Sequence, residues 1–200
     1  MNTLIDIIIA NILGGVLVLL GLNYLDNTTK HFVTHGDDLI VQQNLTSITN
    51  TLEYDLRKMG FSLPEDEPVV LIADSTHLQY RGDQNRNGSI DTISYYLGPV
   101  SELNNTKNPD DRFIYRKING LPIKGFIVGV VTEFKFEYLS QDGLFVDTSI
   151  PQNLPLVKMI RITLKVENSA AYSSKKVADK SEYTSAFWQQ TRLVSRNLRR

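Results

Sequence analysis

The sequence predicts an α+β chain: a long N-terminal helix, transmembrane in its first part, packed on an antiparallel β-sheet. Three patterns carry that prediction. Leu4 to Leu25 is an almost unbroken apolar run whose one ionisable group is Asp6. Val41, Leu45, Ile48, Leu52, Leu56 and Met59 then recur at steps of three and four, a single stripe down a helix. Finally, Glu133–Tyr138 and Ile160–Val166 alternate apolar with polar residues, as strands with one buried and one wet face do.

The apolar run comes first. At about 1.5 Å per residue, a helix of this length spans roughly 30 Å, the hydrocarbon thickness of a bilayer. A secretory signal would carry a basic lead-in, a shorter apolar core and a small-residue exit site. This run has none of these, and Gly21-Leu22-Asn23-Tyr24 is a poor exit, so the span is expected to be retained. Within it Gly14 and Gly15 permit close approach of a second helix backbone. Asp6 is the exception to its apolarity. A carboxylate in hydrocarbon is costly and calls for a partner, unless it lies at headgroup level, where the helix dipole favours it.

From Asp26 to Gly36 the chain is polar, and Asn27, Thr28, Thr29 and Gly36 weaken the helix signal. The signal returns after Asp37 and Asp38, either of which can cap it, and Gly60 before Pro64 supplies a stop. The expected organisation is a transmembrane segment over 1–26, an amphipathic helix continuing the stalk over 27–62, and an antiparallel β domain over 63–200. Expected strands are Val69–Ile72, His77–Tyr80, Thr92–Leu97, Phe113–Lys117, Phe126–Tyr138, Lys158–Glu167 and Tyr183–Val194. Trp188, with Tyr183 and Phe187, suits a last strand packed in the core. Ser101–Asp111 and Asn168–Ser181 read as exposed loops.

Composition excludes several classes of function. The 200 residues carry 21 Lys plus Arg against 22 Asp plus Glu, so no net charge recruits nucleic acid, and no direct nucleic-acid partner is expected. The absence of cysteine removes disulfides, thiolate metal sites and cysteine nucleophiles. His31 and His35 stand four apart, but no HExxH frame surrounds them, and they read as a solvated juxtamembrane pair. Arg192, Arg196, Arg199 and Arg200 read as a frayed basic terminus. No nucleophile elbow, paired catalytic carboxylates or phosphate loop occurs, so the chain is not expected to be an enzyme.

One loop has ligand spacing. Asp83-Gln84-Asn85-Arg86-Asn87-Gly88-Ser89-Ile90-Asp91 matches the first half of a calcium loop, with oxygens from Asp83, Asn85, Asn87 and Asp91 and glycine at the sixth position. The twelfth position, where a bidentate Glu belongs, is Ser94. The other reading is a polar β-hairpin loop turned by Asn87-Gly88. No cofactor is required, and calcium is the candidate. Arg81-Gly82-Asp83 spells an adhesion tripeptide, overlaps this turn and reads as coincidence.

Three segments together resemble the type IV pilin-like proteins, specifically the J-type minor pseudopilins of type II secretion and the PilW-like minor pilins. Asn2-Thr3-Leu4-Ile5-Asp6 is similar to the family's Phe-Thr-Leu-Ile-Glu start. Leu52-Glu53-Tyr54-Asp55-Leu56-Arg57-Lys58-Met59-Gly60-Phe61 is similar to its L-x-x-D-L-R-x-A-G-F helix end. The strand succession closes on Arg196-Asn197-Leu198-Arg199, like the R-N finish of PilW-like chains. The chain departs from the pattern in Asn2, where the family has a Phe that becomes N-methylated, and in Asp6, one methylene shorter than Glu.

The resemblance implies a pilin-like fold and a structural role: a minor subunit that helps assemble or initiate a type IV pilus or secretion pseudopilus. It implies that Asp6 pairs with the N-terminal amine of a neighbouring subunit. The implied partners are other minor pilins or pseudopilins, an inner-membrane assembly platform and membrane lipid. The implied location is the bacterial inner membrane, single-pass, with the β domain in the periplasm or on an extracellular filament. The alternative is a single-pass envelope protein whose β domain binds a ligand or partner, with no filament.

Overall fold

A computed structural model describes residues 2–106, 108–168 and 185–193. It divides into two compact units, Met1–Leu39 and Ile40–Arg200. The first unit is helical, and the second joins the end of the same helix to two antiparallel sheets.

Helix α1 runs unbroken from Asn2 to Leu56. It passes through the polar stretch after Asp26, where the helix signal is weak, and continues as the stalk expected over 27–62. Thr28 and Thr29 turn their hydroxyls back onto the carbonyls of Tyr24 and Leu25, at 2.8 and 2.9 Å, so their polar groups are satisfied inside the helix. The helix ends before Gly60. Lys58 and Met59 donate to the carbonyls of Asp55 and Leu56 three residues back, tightening the last turn, and Gly60 follows at a φ of 71°.

The first sheet is a five-stranded meander of β1 (Val70–Ala73), β2 (His77–Gly82), β3 (Asp91–Leu97), β4 (Arg112–Ile118) and β5 (Leu121–Val131), in that order. The second has three strands, β6 (Glu133–Leu139), β7 (Met159–Glu167) and β8 (Ser185–Leu193). The single strand expected over Phe126–Tyr138 is therefore two strands in different sheets. The pleat explains why. Along one strand, residues on a common face are an even number apart, yet Val131 and Phe134 are both buried. The phase slips at Thr132, whose N–H donates to the Lys165 carbonyl of β7 at 3.0 Å and starts the second sheet.

The helix stripe is the cover for both sheets. Val41, Leu45, Ile48, Leu52 and Leu56 form one buried cluster with Leu78, Tyr80, Ile93, Tyr95 and Ile114 of the first sheet and Phe134, Phe136, Ile160, Ile162 and Leu164 of the second. Each fully buried aliphatic side chain contributes about 1.5–3 kcal/mol. The loop expected to be exposed over Ser101–Asp111 is partly interior, because Asn108 and Asp111 are buried and Asn108 Nδ2 donates to Glu167 at 2.9 Å. The second expected loop, Asn168–Ser181, lies outside the described residues from position 169 on, as do Tyr183 and the Arg196–Arg199 finish. Phe187 and Trp188 lie on β8, opposite Lys165 and Leu164 of β7, and their side chains lie outside the described set.

One close approach sets how the helix seats. A Cβ on Gly129 of β5 would meet Ile48 side-chain carbons at 2.4 and 2.5 Å, and Asn44 Nδ2 donates to the neighbouring Val130 carbonyl at 3.1 Å. Gly129→Val should therefore push the helix off β5 and destabilise the domain by about 1–3 kcal/mol. Thermal unfolding of the full chain in detergent, followed by circular dichroism, measures it. An unchanged melting temperature would contradict this seating.

Candidate functional site

The apolar part of α1 is the first candidate. Thr3–Thr29 is long and apolar enough to cross a membrane, with a mean hydropathy of 2.4, and none of it is buried. Its polar side chains are quieted locally: Asn11 Nδ2 donates to the Ile7 carbonyl at 2.9 Å. Nothing lies within 4 Å of where a Cβ would sit on Gly14 or Gly15, which leaves that helix face open to a second helix. Asp6 is exposed on the same segment and makes no hydrogen bond or ion pair among the described residues. The helical spacing of His31 and His35 stands, but their side chains lie outside the described set.

At the other end of α1, Asp55 is 2 % exposed and sits inside the β domain. Its carboxylate accepts hydrogen bonds from Gln84 Nε2, the Tyr95 hydroxyl and Arg116 Nε. One acid on the helix thereby holds β3, β4 and the loop after β2. Burial is the largest single influence and opposes the Arg116 charge, but the hydrogen bonds and charge interactions with Asp55 and Tyr95 together outweigh it and raise the guanidinium above its ordinary pKa. Burial, then the Asp55 charge, pushes the Tyr95 hydroxyl well above its ordinary value, so it remains a donor. Sequence reasoning quoted Asp55 within a motif and assigned it no role. The signal was present: Asp55 stands three after Leu52 and four before Met59, on the buried stripe.

The turn after α1 lies against the end of β2. Gly60 N–H donates to the Arg81 carbonyl at 2.8 Å, Asp83 N–H to the Phe61 carbonyl at 2.9 Å, and Lys58 Nζ to the Gln84 carbonyl at 2.8 Å. Gly82 is required there, since a Cβ would stand 2.6 Å from the Lys58 carbonyl oxygen. This embeds the Arg81-Gly82-Asp83 tripeptide: Arg81 pairs with Glu67, and Asp83 turns inward.

The calcium-like loop joins β2 to β3, which pair from Gly82↔Asp91 onward. It is a longer loop than the tight turn that Asn87-Gly88 suggests. Asp83 Oδ1 accepts from Asn87 N–H at 3.1 Å and Oδ2 from Gly88 N–H at 2.9 Å. Asn85 Oδ1 accepts from Asn87 N–H at 3.1 Å, and Asn87 Oδ1 from Ser89 N–H at 2.8 Å. The oxygens of Asp83, Asn85 and Asn87 are thus fixed by the loop's own backbone. Asp91 is held elsewhere, by Asn119 Nδ2 at 2.7 Å and Gln84 N–H at 3.3 Å. Ser94, the twelfth position, is 2.8 Å from His77 Nε2 on the sheet face. Burial lowers the His77 pKa below its ordinary value.

Two outcomes are expected here. Asp55→Ala leaves the Arg116 guanidinium partly buried without its carboxylate and should destabilise the domain by about 3–5 kcal/mol, with much of the loss recovered when Arg116→Met is added. Chemical denaturation of both variants measures it. Calcium titration separates the two readings of the loop. Ligation by Asp83, Asn85, Asn87 and Asp91 predicts a rise in melting temperature that Asp83→Asn abolishes, whereas a plain hairpin loop predicts no rise. No family model, curated protein or solved structure matches this chain, so its functional reading stands on its own residues and geometry.

Proposed function

We propose that the chain is a membrane-anchored structural subunit with a pilin-like fold, a minor pilin or pseudopilin that takes part in assembling or initiating a type IV pilus or a type II secretion pseudopilus. The observation that carries this reading is the division of labour along α1. Its Thr3–Thr29 portion is apolar and unburied, while its Val41–Leu56 stripe is the core of a β domain. One continuous helix thus meets two environments, and its free apolar portion needs lipid or other helices as its surroundings. The ordered resemblance of Asn2–Asp6 and Leu52–Phe61 to pilin-like chains supports the same conclusion.

In this reading the bacterial inner membrane holds the free subunit, with its domain in the periplasm or carried outward on a filament. Other minor pilins or pseudopilins and the inner-membrane platform are its partners. Gly14 and Gly15 give neighbouring helices close approach, and Asp6 meets the amine of an adjacent subunit, where two buried charges offset each other's desolvation. The reading needs no cofactor and no catalysis. A second reading, a single-pass envelope protein that binds a ligand, is favoured by one feature. The outer face of the first sheet has an open hollow of about 500 Å³ lined by Thr76, His77, Gln79, Ser94, Tyr96 and Lys117.

Asp6→Ala is the test. The expected result is a β domain with an unchanged melting temperature and loss of co-assembly with the other minor subunits, read by pull-down from detergent-solubilised membranes. Normal incorporation of the variant would count against the pairing and move weight to the second reading.

A further inference from the structure

The outer face of the first sheet carries a polar hollow of about 500 Å³, within the range of about 300–1,000 Å³ typical of small-molecule sites. Three neighbouring strands build it. His77 and Gln79 of β2, Ser94 and Tyr96 of β3 and Lys117 of β4 line it, while Leu78, Tyr80, Ile93 and Tyr95 between them pack into the core. The registers His77↔Tyr96, Gln79↔Ser94 and Ser94↔Lys117 set the lining side chains in adjoining rows, and Thr76 closes one side. Tyr96 is fixed in place: its ring stacks on Tyr115 at 5.1 Å, and its hydroxyl donates to the Lys124 carbonyl.

The lining holds one charge and no carboxylate. Lys117 Nζ stands 4.9 Å from the centre of the Tyr96 ring and has no ion pair among the described residues. The neighbouring cation, Lys124, is already paired with Glu102 at 3.0 Å. Burial lowers the His77 pKa, against the charge of Asp74 in the β1–β2 turn and with that of Lys117, so the imidazole is neutral at pH 7. The other polar groups are neutral too. His77 Nε2 and Ser94 Oγ are 2.8 Å apart, while the Thr76 hydroxyl and the Gln79 side-chain amide have no hydrogen bond among the described residues. Hydroxyl, amide and neutral imidazole can each both donate and accept.

We propose that the hollow binds a sugar bearing one carboxylate, a uronate. Lys117 meets the carboxylate, Thr76, Gln79 and the His77–Ser94 pair meet hydroxyls, and Tyr96 is an apolar floor for the ring. The donor set selects this chemistry. Sugar hydroxyls both donate and accept, as the neutral lining groups do, whereas ionised phosphate oxygens only accept. One ammonium matches one negative charge, while a polyanion such as nucleic acid calls for several cations along its track. A neutral sugar would leave that ammonium without a counter-charge. The site rests on the ligand-binding reading of the hollow and deepens it by naming the occupant, and it is compatible with a filament subunit.

The full-length chain, in a detergent without a sugar headgroup, is titrated calorimetrically with glucuronate, glucose and inorganic phosphate. Glucuronate should bind severalfold more tightly than glucose and than phosphate. Lys117→Gln should abolish the preference for glucuronate over glucose, Lys117→Arg should keep it, and Gln79→Ala should weaken both sugars, each with an unchanged melting temperature. Galacturonate and its oligomer separate the sources. Severalfold tighter binding of the oligomer, beyond its number of sugar units, identifies an acidic polysaccharide, and equal binding per unit identifies the free sugar acid. No binding of glucuronate, equal affinity for glucose, phosphate bound as tightly as glucuronate, or a preference that survives Lys117→Gln would overturn the site. Co-assembly is scored separately. Absent uronate binding with normal co-assembly overturns the site and leaves the filament reading standing. Uronate binding by a chain that never co-assembles keeps the site and overturns the filament reading.

Discussion

The β domain depends on one buried carboxylate. Asp55 ends the helix inside the protein, where an unpaired charge is unfavourable by several kcal/mol, and the guanidinium of Arg116 and the hydroxyl of Tyr95 make it tolerable. A buried pair of this kind adds little stability over an apolar core of the same shape, but its geometry is demanding. Helix end, β3, β4 and the loop after β2 must all arrive together for the donors to meet the acid. Gly129 does the complementary work further back along the helix, letting Ile48 approach the β5 backbone where any side chain would intrude. Helix and sheet are therefore registered at two points, one polar and one steric.

Seen from the membrane side, the same helix obeys a different rule. In hydrocarbon the backbone must satisfy its own hydrogen bonds, which a helix does without help, so Thr3–Thr29 needs no partner from its own chain. Asn11, Thr28 and Thr29 follow that economy by returning their polar groups to carbonyls four residues back. Asp6 makes no such local bond among the described residues, and in the proposed reading its carboxylate meets the amine of an adjacent subunit.

Much of the fold was legible because periodicity is local. The stripe from Val41 to Met59 and the alternation in β6 and β7 name their buried faces directly, and every residue of that stripe is buried. Where the signal was weak, at Thr28 and Thr29, the helix continues because their hydroxyls bond back within it. Phe126–Tyr138 was taken as one strand, although a one-residue slip in phase separates two sheets. The β4–β5 hairpin was also missed, and there the signal was plain: Asn119-Gly120 between two apolar runs is a strong hairpin marker.

The sequence by itself determined the apolar span, the amphipathic helix after it and the antiparallel character of the rest, because each is written in spacings of two, three or four residues. Only the tertiary structure decided that Asp55 is interior and that the β domain holds two sheets. Those facts join residues far apart in the chain: Asp55 with Arg116, and Thr132 with Lys165. No local pattern encodes such pairs, since they exist only once burial has chosen which faces meet.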